Sequence, residues 1–158
     1  VVVVNIQTAS QGKGMIRGFT RFEKQLKDLR EPFKAIVADF YKVEENIFRS
    51  EGTPISFRSL DKKYEKWKKK HFPGQTIMRL RDNLYNALTG GRPSDSSKAK
   101  ADIKISKQQL YLGVISPYFI VQEKRGRQAI QLTNEIKDRW ATIIHEWAYN
   151  KFKEEVLD

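Results

Sequence analysis

The sequence predicts an α+β domain in which several helices pack on a small, largely antiparallel sheet, closed by a long C-terminal helix. Two patterns predict it. Apolar residues recur at helical spacing between Phe19 and Leu88 and again from Ile136 onward. Between these stretches Leu110, Leu112 and Val114 alternate with Tyr111, Gly113 and Ile115, the period of a strand with one face on a core. The 158 residues are the length of one ordinary domain, and no internal repeat or composition break divides them. Residues 1–158 are therefore read as a single unit.

Val1–Ile6 is β-branched and reads as a strand, on a sheet edge or lent to a neighbouring subunit. Gln11–Gly14 reads as a flexible connection and Met15–Gly18 as a continuation of the sheet, so residues 1–18 form an N-terminal strand or arm. Phe19, Phe22, Leu26 and Leu29 make the first helical stripe, interrupted at Glu31-Pro32, where proline suits the first position of a new helix. Phe33, Ile36, Val37, Phe40 and Ile47 continue the stripe until Gly52-Thr53-Pro54 ends it. Ser59 is placed to N-cap a helix with Leu60, Tyr64 and Trp67 on one face, which Phe72-Pro73-Gly74 breaks. Ile77, Leu80, Leu84 and Leu88 then predict a helix from Thr76, with Gly90 as its left-handed stop. Residues 90–100 contain no large apolar side chain and read as a mobile loop. Ile103 and Ile105 predict a strand that pairs with Leu110–Ile115 across a turn at Lys107-Gln108. Ser116-Pro117 stops the second strand, and a short aromatic turn, Tyr118 to Gln122, leads into the basic loop Lys124–Arg127. Ala129, Ile130 and Leu132 resume strand alternation. The closing helix starts near Thr133 and carries Ile136, Trp140, Ile143, Ile144, Trp147 and Phe152 on one broad face.

Charge and chemistry narrow the function classes. Lys and Arg number 30 against 19 Asp and Glu, a net charge of +11 that calls for an anionic partner: nucleic acid, a membrane surface or an acidic protein face. No cysteine is present, which excludes disulfides and thiolate chemistry. No apolar run approaches the roughly 20 residues of a membrane span, and Val1–Val4 is too short and too uncharged in its lead-in for a signal peptide. No membrane partner is expected. His71 and His145 stand far apart with no partner at metal-ligand spacing, and no nucleophile elbow occurs. Glu44-Glu45 and Glu154-Glu155 are helix neighbours that diverge by about 100° and read as solvated surface. Thr89-Gly90-Gly91-Arg92 lacks the ending of a phosphate loop and follows a helix instead of preceding one. The expectation is a protein with no enzymatic activity, cofactor or metal.

Two groups of residues are candidates for contacts. Lys62, Lys63, Lys66, Lys69 and Lys70, with Arg58 nearby, could neutralise an anionic partner such as a nucleic-acid backbone. Arg125 and Arg127 flank a glycine in a loop, which suits a directed contact with a carboxylate or phosphate; with Tyr118 and Gln122 they form a candidate protein-contact set.

Ile77-Met78-Arg79-Leu80-Arg81-Asp82-Asn83-Leu84 follows a lysine-rich segment and precedes a hairpin, Tyr118 followed by Gln122, the stretch Arg127–Leu132, and a final helix from Thr133. On these residues the chain, from Ser56 to Asp158, resembles the phage virion morphogenesis, or tail completion, proteins of contractile-tailed phages. Where that family commonly has a histidine just before the glutamine and a glycine shortly after it, this chain has Val121 and Glu123-Lys124. The resemblance implies a structural virion protein that completes the head-proximal end of the tail and helps join it to the head. Its partners would be copies of itself in a ring-like homo-oligomer, tail tube and sheath proteins, and neck or connector proteins, with non-specific contact to DNA in the lumen. It would assemble in the host cytoplasm and end at the head–tail junction of the virion. The residues alone support one rival, a small basic protein that binds nucleic acid non-specifically through the Lys62–Lys70 helix.

Overall fold

Gly14 and Gly18 look like loop signals, yet the segment containing them is helical. In the computed structural model, which describes residues 11–157, helix α1 spans Gln11–Leu26. This corrects the connection expected at Gln11–Gly14 and the strand expected at Met15–Gly18; the strand expected at Val1–Ile6 lies outside the described residues. Gly18 serves close packing. A Cβ there would lie 2.3 Å from the Glu155 carbonyl oxygen, so only glycine lets α1 approach the C-terminal turn. Phe19 and Phe22 then meet Phe152, with ring centroids 6.0 and 5.5 Å away.

The chain breaks at residues 27–29, and α2 runs from Arg30 to Arg49. Pro32 is the third residue of α2, still within the first turn, where a missing N–H leaves no bond unmade. The backbone N–H of Leu29 donates to the carbonyl of Lys107 (2.7 Å), which ties the break to the hairpin turn. The stripe predicted for α2 is the buried one: Phe33, Ile36, Phe40 and Ile47, joined by Phe48. Glu44, expected at the surface, is instead 1% exposed, because it falls on this same face between Phe40 and Phe48.

Helix α3, Lys62–His71, is capped by Asp61 and not by Ser59; the Asp61 carboxylate accepts from the N–H groups of Lys63 (2.9 Å) and Tyr64 (3.4 Å). Ser59 is held outside the helix, its carbonyl accepting from Arg127. Asp61→Ala should cost about 1 kcal/mol, read as a lower urea midpoint, and Asp61→Ser should recover most of it.

The helix expected from Thr76 is confined to α4, Asn83–Leu88. Tertiary bonds hold the preceding residues in turns: Ile77 N–H donates to Glu51 Oε1 (2.9 Å), Lys68 Nζ donates to the Thr76 carbonyl, and Arg79 makes a two-pronged pair with Asp82 (2.9 Å each). Met78 and Asp82 adopt positive φ, 64° and 54°, which ends any helical run through them. Gly90 has φ +77°, as its predicted role requires, and lies against the Tyr41 ring. Residues 91–99 form neither helix nor strand, and Asn83 Oδ1 fastens them by accepting from Ser94 Oγ (2.8 Å) and Asp95 N–H (3.0 Å).

Strands β1 (Lys100–Ile105) and β2 (Leu110–Ile115) form the predicted antiparallel hairpin, in register from Lys100 opposite Ile115 to Ile105 opposite Leu110. The hairpin packs against α2 and α4. Helix α5 covers Phe119–Lys124. The strand expected at Ala129–Leu132 does not form; Ala129 lies at a bend and the residues after it belong to no ladder. Helix α6, Asn134–Phe152, is the predicted long closing helix, N-capped by Thr133 and followed by a π-helical turn, Lys153–Leu157. It runs antiparallel to α2, with Asp39 accepting from Arg139 (3.0 and 2.9 Å) and from Trp140 Nε1 (2.8 Å). The core gathers Phe40, Phe48, Leu84, Ala87, Leu88, Ala99 and Ala129 beneath this hairpin and these helices.

Candidate functional site

A cleft of about 950 Å³ opens where four separate segments meet: Arg58–Lys68, Met78–Leu84, Ser94–Lys98 and Tyr118–Arg127. It brings together Arg58, Tyr118, Gln122, Arg125 and Arg127, which the sequence had placed in two unrelated groups. It does not include Lys62, Lys63, Lys66, Lys69 or Lys70; these stay exposed on the other faces of α3, and Lys69 is paired with Glu65 at 2.6 Å. The lysine of this helix that does reach the cleft is Lys68, four residues from Tyr64 and so on its face, and 4% exposed.

Arg127 forms the floor. It is 7% exposed, and its guanidinium donates to the carbonyl of Arg58 (Nε, 2.8 Å), to Gln122 Oε1 (Nη1, 2.9 Å) and to the carbonyl of Ser59 (Nη2, 2.9 Å). Arg127 and Gln122 are thus turned on each other and on the chain's own backbone, and they shape the cleft instead of facing a partner. Three neutral acceptors take one hydrogen bond from each guanidinium nitrogen but leave its charge uncompensated. Burial first, then the neighbouring charges of Arg125 and Arg58, lower its pKa. Burial likewise lowers that of Lys68 and raises that of the Tyr118 hydroxyl.

Of the lining residues seven are Lys or Arg and three are Asp. Each aspartate is already engaged. Asp61 caps α3, Asp82 is held by Arg79, which keeps its carboxyl below the usual range, and Asp95 accepts from Ser97 N–H (2.9 Å). Arg58, Arg81, Arg125 and Lys98 form no ion pair among the described residues. One wall begins an aromatic ladder: Tyr64 stacks on Trp67 (5.5 Å, 23°) and Trp67 on His71 (5.0 Å, 27°). Sequence reading missed Lys68, Arg79, Arg81 and Lys98 as site residues. The only signal for Lys68 was its spacing from Tyr64; Arg79 and Arg81 stood in the Ile77–Leu84 block without a contact role, and Lys98 carried no signal.

Among the described residues no cluster of His, Asp or Glu could hold a metal ion, and no helix is long and apolar enough to cross a membrane. In comparisons with known proteins no family model, curated protein or solved structure matches the chain.

Proposed function

We propose that the chain is a structural virion protein of the tail-completion type, which joins copies of itself into a ring at the head-proximal end of a phage tail and docks there on tail and neck proteins. One observation supports this above the others: the molecule carries apolar surface in two unlike places. The hairpin has no third strand among the described residues, and it exposes Tyr111 and Ile115 close in sequence to Ile120 and Val121 of α5. Helix α1 separately exposes Ile16, Phe19 and Leu26. A ring needs one patch on each copy to meet a different patch on the next, and unlike apolar surfaces of this kind supply such a pair. Open strand edges add backbone groups able to take up a neighbour's strand.

The test is the mass and shape of the purified full chain, alone and with tail tubes, by light scattering and electron microscopy. Rings are expected, and Ile115→Lys with Ile120→Lys should return them to single subunits while changing stability by less than about 0.5 kcal/mol per exposed site. A chain that stays a lone subunit with tail tubes and binds DNA in a salt-sensitive way would instead favour the rival, nucleic-acid binding through the exposed lysines of α3.

A further inference from the structure

We propose that the cleft binds a phosphate-bearing anion, gripped by Arg58 and Arg125 at one end and met by Arg81 and Lys98 at the other. This binding goes beyond ring assembly and is independent of it. The argument begins with the cost of the cleft itself. The Arg58 N–H donates to the Gly126 carbonyl (3.1 Å), so Arg58 lies alongside the loop that carries Arg125 and Arg127. Three arginines, Arg58, Arg125 and Arg127, therefore gather at one end of the cleft close enough to repel one another, and none of them forms an ion pair among the described residues. Gathering like charges around a buried arginine opposes folding, and a bound anion reverses the sign of that contribution.

The three aspartates offset only part of that charge: Asp82 is paired with Arg79, Asp61 caps a helix and Asp95 holds a serine turn, and seven basic side chains against these three acidic ones leave an excess of four positive charges. Arg58, Arg81, Arg125 and Lys98, which form no ion pair among the described residues, carry that excess. Phosphate fits this set better than carboxylate. An arginine fork matches two phosphate oxygens at once, and several cations around one space suit a group carrying more than one negative charge. The volume, about 950 Å³, exceeds a lone phosphate and suits a ligand of nucleotide size or a short run of strand backbone. Tyr64, on the cleft wall, offers a ring for stacking a base.

The experiment titrates the full chain at low salt with inorganic triphosphate and, separately, with a short oligothymidylate, following the fluorescence of Trp67 beside the cleft and heat by calorimetry. Binding is expected for at least one ligand. Arg58→Ala with Arg125→Ala, both exposed positions, should weaken it about tenfold or more, whereas Lys62→Ala with Lys63→Ala should change triphosphate binding less than about twofold. Cleft-dependent binding of triphosphate alone identifies a small phosphate compound as the source; cleft-dependent binding of the oligonucleotide identifies strand backbone. The proposal is overturned if neither ligand binds. It is equally overturned if the lysine pair and not the arginine pair controls binding, or if a polyglutamate peptide binds as tightly as the phosphates. Rings that still form with both arginines replaced would leave the assembly reading intact, so the two can fail separately.

Discussion

Gln131→Ala is expected to lower stability by about 3 kcal/mol. Gln131 is 2% exposed, and its amide joins two segments distant in sequence. Its Oε1 accepts from the Ile55 N–H (3.0 Å), and its Nε2 lies within bonding distance of the carbonyls of Gly52 (3.0 Å), Ile55 (2.9 Å) and Gln128 (2.9 Å). Alanine leaves this turn with a donor and several acceptors unmet. Each buried orphan costs roughly 1–3 kcal/mol, and water reaching the exposed side of Ile55 offsets part of the sum. Gln131→Glu should be worse, since a carboxylate would face three carbonyl oxygens with no proton to donate. Urea unfolding reads the effect as a lower midpoint at unchanged slope, with exposed Gln108→Ala shifting the free energy by less than about 0.5 kcal/mol as control. A loss under about 1 kcal/mol for Gln131→Ala would mean that the turn is held by packing and not by this amide.

The same amide explains one place where sequence reading went astray. From Arg127 onward the alternation is real, because Arg127, Ala129 and Gln131 are the buried residues, with Gln128 and Leu132 exposed. The apolar residues Ala129, Ile130 and Leu132 do not follow that period, and the two side chains that do so besides Ala129 are polar. Gln131 and Arg127 replace a ladder partner with side-chain bonds to the backbone of residues 52–59. Helices α2 and α6 were legible because one continuous apolar stripe outweighs local exceptions. The start of α1 was not, because a glycine that allows close helix packing looks the same in sequence as one that begins a loop. The segment Thr76–Arg81 continues the helical spacing of Leu80, Leu84 and Leu88, yet Glu51 and Lys68 take its backbone groups from outside. Only part of the cleft was legible, for a related reason. Residues near one another in sequence, such as Tyr118 to Arg127, could be grouped in advance, whereas Lys68, Arg79 and Lys98 join them only through tertiary packing.

Glu44→Gln should act in the opposite direction from Gln131→Ala and should reveal itself through pH. The Glu44 carboxyl is 1% exposed on the core face of α2, and its Oε2 has no hydrogen-bond partner among the described residues. Burial pushes its pKa up from 4.5 to about 9, so the folded protein holds it as a neutral acid at pH 7. Below pH 4.5 the group is neutral in both folded and unfolded chains, and its contribution to stability is fully present. Above that value the unfolded chain releases the proton while the folded chain keeps it, so stability falls as pH rises, until the folded group also ionises near 9. The slope is about 1.4 kcal/mol per pH unit where the two states differ by one whole proton. Glutamine keeps the shape and cannot ionise. It should match the parent protein near pH 4.5 and gain about 3 kcal/mol by pH 8, a figure set below the full linkage because local rearrangement and water entry relieve a buried charge. Urea midpoints of the two proteins at pH 5 and pH 8 measure this directly. Profiles that stay parallel across that window would place Glu44 in contact with water or a cation in solution, and would remove burial as the reason for its neutrality.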